Sequence, residues 1–450
     1  MVKEAASQPA APPDAGQESG LVPLGSHQPV LDGLRGLAIL LVLFHHFTVV
    51  NSTSGVDWIL LRLSGTAWCG VDLFFVLSGF LIGGILLDSR GRPGYFRTFY
   101  ARRTLRIFPL YYAVVALALV VLPAVAAWIR SPAIAEKLDR LSHLDGSQVW
   151  YWTYLSNYAI AWAGNFQNPI LGVSWSLAIE EQFYLLWPAV VWLLPRRALA
   201  VTCVLIAAGS LGLRTWLVLR GADPIVPYVI TPARLDALAI GCLLAIGARR
   251  AGGGLAPWRR PAAWGVAIAA LLVLAIVETD LRTGWATRLP AYERGEISWA
   301  GPLMGSVGFT ILPLGFACLL ILAVTARASS LLRRILAGSA LGLLGHLSYG
   351  LYLVHVPVRA LIRDVLLGPA GAGQPRLRFP TIAGSELPGQ LLFYVVAGGA
   401  SLLLAWLSWN LWEKHFLKLK RFVEYRLAVT PPPGPGSGPP AGPAGPRSPR

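Results

Sequence analysis

Ten apolar runs, each about as long as a bilayer is thick, leave this chain essentially one kind of fold. They fall at about 31–50, 66–88, 107–128, 174–194, 198–219, 228–247, 262–279, 301–325, 338–358 and 389–412. A helix of about 20 apolar residues crosses a hydrocarbon core of about 30 Å. The runs therefore predict an all-α fold, a polytopic helical membrane bundle of about ten transmembrane helices. Composition agrees, with 55% hydrophobic and only 13% charged residues. Such a balance excludes the two or three soluble domains that 450 residues would otherwise allow.

The net charge of +16 would point to nucleic acid in a soluble protein. Here the cations sit in short segments between spans, where the positive-inside rule accounts for them. Arg90, Arg92, Arg97, Arg102, Arg103 and Arg106 share one connection, and Arg196 with Arg197, Arg249 with Arg250, and Arg333 with Arg334 mark others. Placing these inside puts both termini in the cytoplasm. The stretch 148–163, QVWYWTYLSNYAIAWA, is aromatic, polar and about a turn short of a span. Counting it as one would send the later Arg pairs outside, so it is expected to lie at the interface or re-enter. Cys69, Cys203, Cys242 and Cys318 are isolated, which indicates neither a disulfide framework nor a zinc site. Residues 1–29 lack the pattern of a cleavable signal peptide and read as a disordered tail. Residues 30–421 form the transmembrane domain, and the Pro/Gly-rich residues 422–450 read as a second disordered tail. With no soluble catalytic domain expected behind the spans, chemistry has to come from the spans and their loops.

The first span, LDGLRGLAILLVLFHHF, holds Arg35 near its start and His45 and His46 near its end. Ionisable groups in a membrane helix cost several kcal/mol unless they have partners, which makes them functional candidates by default. Arg35 and His46 are eleven residues apart, on one helix face and about 16 Å apart along the axis. Asp72 opens the second span at the depth of His46. It could orient the imidazole as the acid of a triad does, or merely cap its helix. Arg103 and Arg106, three apart, could grip the phosphates of a cytosolic ligand; as a basic juxtamembrane pair they could equally serve topology and lipid headgroups. Glu180 and Glu181 lie about two turns into the fourth span, pointing about 100° apart, so at least one should face the bundle interior. Arg234 and Asp236 begin the sixth span. Ser348, Tyr349, Tyr352 and His355 stand near the outer end of the ninth, where an aromatic belt with a snorkelling histidine is the plainer account. Arginines at one end and other ionisable groups at the opposite end suit a donor from inside meeting an acceptor near the outside. About 16 Å is also roughly the reach of an extended pantetheine arm. On that reading His46 deprotonates an acceptor hydroxyl or itself takes the acyl group.

Taken together, these motifs resemble the acyltransferase-3 family of integral membrane O-acyltransferases. Arg35 and His46 match its Arg-x10-His signature, and only His46, not His45, keeps that spacing. GVDLFFVLSGFLI, the Arg-x-x-Arg of Arg103 and Arg106, WSLAIEEQFYLLWP, RLDALAIGCLLA and LSYGLYLVHVPV follow in the family's order, from about residue 28 to 421. The resemblance implies a multi-pass protein of the bacterial inner membrane that moves an acyl group, often acetyl, from cytosolic acyl-CoA to a hydroxyl. The acceptors it implies are glycans such as O-antigen, exopolysaccharide and peptidoglycan, or lipid-soluble metabolites such as macrolides. Many members carry a fused SGNH hydrolase-like domain, and none is expected in this chain. The resemblance gives Arg103 and Arg106 the coenzyme side, where the Arg35–His46 spacing already puts Arg35 as the residue that would hold the polar head of the coenzyme. The expected catalytic set is His46, Arg35, Asp72 and Glu181, with Glu180, Arg234, Asp236, Tyr352 and His355 around the acceptor. The expected partners are the bilayer, acyl-CoA and the acceptor, with no nucleic acid and no metal. A transporter or exporter of an acylated product is the alternative, since proton relays also use intramembrane Arg, Glu and His. Neither an inverted repeat nor a pair of broken helices supports it. A metal site would require His45 or His46, Asp72 and His355 to converge.

Overall fold

The computed structural model describes residues 28–50, 55–144, 146–166, 168–250, 254–283, 301–367 and 379–423. The two tails thus fall almost wholly outside the described residues. Ten long helices take up the ten apolar runs: α1 (Pro29–Phe47), α2 (Gly70–Ser89), α3 (Tyr95–Ala116), α4 (Ser174–Leu193), α5 (Arg196–Leu219), α6 (Thr231–Ala248), α7 (Arg259–Arg282), α8 (Phe309–Val324), α9 (Ser339–Leu367) and α10 (Leu387–Ser408). Among the described residues nine helical segments are long and apolar enough to cross a membrane. The tenth, α4, has 20 residues, but Glu180, Glu181 and Gln182 interrupt its apolar run. No β-strand forms among the described residues beyond a single bridge between Ile382 and Ser385.

The packing is set by small residues. Lipid tails are as apolar as leucine, so membrane helices associate through close van der Waals contact, which glycine permits. A Cβ on Gly36 of α1 would lie 2.0 Å from the Leu341 carbonyl oxygen of α9, and one on Gly345 would lie 1.9 Å from that of Asp32. The α2–α6 contact uses Gly79 and Gly241 in the same way. At the ends of α2 and α6, Arg249 grips Asp88 with two bonds of 2.6 and 2.5 Å.

One segment differs from the expected outline, and another, 148–163, fits the expectation that it is not a span. The third helix begins at Tyr95, not near 107, so Arg102, Arg103 and Arg106 lie on it two to three turns from its start. Their charges had marked a loop, but aromatic rings cover two of them: the Arg103 guanidinium lies over the rings of Phe99 and Tyr184, and that of Arg106 over the ring of Trp409. The stretch 148–163 breaks into Val149–Trp152 and Ser156–Ala163 around Tyr154, whose φ of 55° is left-handed. Neither piece can span a bilayer. Tyr111 of α3 and Gln182 of α4 pin it: the Tyr111 hydroxyl donates to the Tyr151 carbonyl at 2.8 Å, Tyr154 stacks on Tyr111 at 4.2 Å, and the Gln182 amide donates to the Tyr154 carbonyl at 2.8 Å.

Candidate active site

At the Arg35 end of α1 a cavity of about 110 Å³ opens between α1, α2, α3, α4 and α9. Arg35, Arg103 and Arg106 bring three cations from two helices to its wall. Arg106 rests over the ring of Trp409, just beyond α10, at 5.8 Å. One carboxylate joins them. Glu180 accepts hydrogen bonds from Ser78 at 2.7 Å and from Tyr184 at 3.1 Å, so its place is fixed by α2 and by its own helix. Three cations against one held carboxylate leave the cavity positive, a setting for a phosphorylated ligand.

At the other end of α1 a second cavity, about 200 Å³, is lined by His45, His46 and Arg359 among a wall of Trp68, Phe166, Trp175 and Tyr228. The loop closing it is knotted by buried Asn168, whose amide donates to the Leu141 and His143 carbonyls. Its oxygen accepts from the backbone of Ile170 and Leu171. His46 Nδ1 lies 3.0 Å from the Val42 carbonyl oxygen. A carbonyl can only accept, so Nδ1 carries the proton and, in the neutral ring, Nε2 keeps the lone pair. The His46 ring meets that of His355 edge-on at 4.8 Å, and His355 Nδ1 is held likewise by the Tyr352 carbonyl at 2.7 Å. Tyr352 itself lines both cavities.

Three expected placements are corrected. Asp72 does not orient His46; a backbone carbonyl one turn back on α1 does. Asp72 instead accepts from Arg234 at 2.6 Å, both side chains 1% exposed, and Arg234 also lies 4.2 Å over the Phe309 ring. Asp236 accepts from Arg214 at 2.8 Å and from Thr310 at 3.0 Å. These two buried pairs tie α2, α5, α6 and α8 together, and none of the four charged residues lines either cavity. The glutamates are the third correction. Glu180 lies with the arginines, not with an acceptor near His46, and Glu181 lines neither cavity, with a buried Oε1 that has no hydrogen-bond partner. Asp72 is thereby drawn away from His45, His46 and His355, and among the described residues no group of three His, Cys, Asp or Glu could hold a metal ion.

Sequence reasoning passed over Arg214, Arg359, Ser78 and Tyr184. Arg214 had a signal, since a lone arginine inside a span needs a partner. Arg359 had a weaker one, four residues after His355 and so on the same face of α9. Nothing distinguished Ser78 or Tyr184 from other hydroxyls in an apolar helix.

Fold and cavities define an all-α, multi-pass membrane protein in which one helix joins a cationic cavity to a histidine-bearing one. A family model described as an acyltransferase domain matches residues 29–410. The chain belongs to the acyltransferase-3 family. It is 31% identical over 351 residues to the O-acetyltransferase OatA of Staphylococcus aureus, covering 75% of this chain and 51% of that protein. The putative peptidoglycan O-acetyltransferase YrhL of Bacillus subtilis is 30% identical, covering 75% and 49% respectively. The peptidoglycan O-acetyltransferase OatA of Listeria monocytogenes is 28% identical, covering 75% and 50%. The chain thus spans about half the length of the curated relatives it matches. No solved structure matches it.

Proposed function

We propose that this chain is a bacterial plasma-membrane O-acyltransferase that moves an acetyl group from cytosolic acetyl-CoA to a hydroxyl of a glycan. One observation carries this reading: the cationic cavity and the His46 cavity adjoin along α1 and share wall residues. In this reading Arg35, Arg103 and Arg106 hold the phosphates of the coenzyme, and the pantetheine arm runs along α1 towards His46. His46 Nε2 takes the proton of the acceptor hydroxyl as its oxygen attacks the thioester carbonyl. The C–S bond then breaks, and the imidazolium returns the proton to the leaving thiolate. The Val42 carbonyl keeps the imidazole in the tautomer that this step needs. The aromatic wall of the second cavity suits the flat apolar faces of sugar rings, and the named activities of the relatives support a peptidoglycan-like glycan. The Arg-rich connections support placing the arginine end in the cytoplasm.

The test uses the full chain in lipid nanodiscs with acetyl-CoA and glycan oligomers of alternating N-acetylglucosamine and N-acetylmuramic acid. His46→Ala should bind CoA as the wild type does and lose transfer by about 10²-fold or more, the usual contribution of a positioned base. Wild-type transfer in His46→Ala would overturn the assignment.

A further inference from the structure

Val71 and Tyr352 are the two residues, among those described, that line both cavities. The boundary between the arginine end and the His46 cavity therefore lies at these two side chains. Val71 lies in the first turn of α2 and is 6% exposed. Its backbone cannot retreat, because the neighbouring Gly70 is so close to α1 that a Cβ there would lie 2.4 Å from the Ala38 carbonyl oxygen. A β-branched side chain is also stiff at χ1. Tyr352 of α9, 7% exposed, is tied to α4 and the residue before it. Its hydroxyl donates to the Val173 carbonyl at 3.2 Å and lies 2.6 Å from the Ser176 hydroxyl. Val173 faces the histidine cavity and Ser176 the arginine cavity, so the phenol is anchored across the boundary between them. Two rings pack near it, Phe74 at 6.3 Å and His355 at 5.7 Å.

We propose that Val71 and Tyr352 form a neck that selects the acyl group by width, making the donor an acyl thioester with a narrow, unbranched chain. The inference rests on the arginine cavity being the donor site. His46 lies beyond the neck, so the acyl group must lead through it before the thioester carbonyl can reach the imidazole. A straight chain presents one methylene in cross-section at any length, whereas a branched carbon or a ring presents more. The neck therefore accepts acetyl and propionyl and turns away isobutyryl and benzoyl. Val71 and Tyr352 act as specificity-determining residues, not as proton carriers.

The experiment measures thiol release from acetyl-, propionyl-, isobutyryl- and benzoyl-CoA by nanodisc-embedded protein with the glycan oligomers as acceptor. Wild type should favour acetyl and propionyl. Val71→Ala should raise the isobutyryl-to-acetyl ratio of kcat/KM by about tenfold or more, the scale of one or two methylenes in an apolar site. Tyr352→Leu should raise the benzoyl-to-acetyl ratio in the same sense, and Val71→Leu should lower the isobutyryl-to-acetyl ratio below that of wild type. Wild type that uses benzoyl-CoA as fast as acetyl-CoA overturns the neck whatever the variants do. Ratios within twofold of wild type in all three variants, with acetyl still transferred, overturn the neck alone. If wild type releases no more thiol from acetyl-CoA than His46→Ala does, the donor reading falls and the neck falls with it.

Discussion

His46 holds its proton on the nitrogen that faces its own helix, and this defines what the residue can do. The carbonyl of Val42, 3.0 Å away, does the orienting that a carboxylate does in a triad. Asp72 is thus released to a structural role, and the two roles separate by experiment. Asp72→Ala leaves Arg234 as a buried cation without its carboxylate and should cost about 3–5 kcal/mol of stability in a thermal melt in detergent. The double variant Asp72→Leu with Arg234→Leu should recover much of that loss and retain acyl transfer. A double variant that is stable yet inactive would return Asp72 to the catalytic machinery. Arginines at the other end are proposed to act on binding. Arg103→Ala should raise KM for acetyl-CoA by about tenfold to a hundredfold, the loss of a hydrogen bond between charged groups, with a smaller change in kcat. Equal losses in kcat and kcat/KM would mean that Arg103 contributes only in the transition state. The Arg35–His46 relation was legible in the sequence, because eleven residues make about three helical turns. The partner of Asp72 was not. Sequence placed Asp72 near the depth of His46, but only packing decides which way a side chain on α2 turns, and it turns towards Arg234 on α6.

α1 carries both ends of the site, so its fit against α9 governs their alignment. Glycine backbones meet there, and His46 touches His355 across the same interface at 4.8 Å. Gly36→Leu would drive a side chain into the Leu341 carbonyl and should cost at least about 1–3 kcal/mol. It should also lower transfer more than CoA binding, because the cationic cavity draws Arg103 and Arg106 from α3. Gly342→Ala, also on α9, is the control: a Cβ there meets nothing within 4 Å. It should be neutral or stabilise by about 0.4–1 kcal/mol through the unfolded chain. Equal destabilisation by both variants would show that helix propensity, not close approach, limits the interface. The elements themselves were read well from apolar length, with one instructive exception. Reading charge as the end of a span placed the start of the third helix near 107, yet it starts at Tyr95. A guanidinium lying over Phe99 and Tyr184 is sheltered by aromatic faces that hydropathy does not register as partners.

For the whole molecule, the two cavities sit at opposite ends of one helix, and the donor and acceptor sites they are proposed to form should therefore be reached from opposite faces of the membrane. The Arg-rich connections in the sequence suit this polarity, while the cavities themselves arise only when helices distant in the sequence converge. The arrangement makes sidedness testable without any variant. Acetyl-CoA is membrane-impermeant, so in sealed vesicles it reaches only one end of α1. Inside-out vesicles, which expose the cytoplasmic face, should transfer label from external [¹⁴C]acetyl-CoA to glycan supplied in the lumen. Right-side-out vesicles should transfer none from external acetyl-CoA until they are permeabilised. Equal transfer in both orientations at a single uniform insertion would place donor and acceptor on one face. It would also leave the roughly 16 Å between Arg35 and His46 without a purpose.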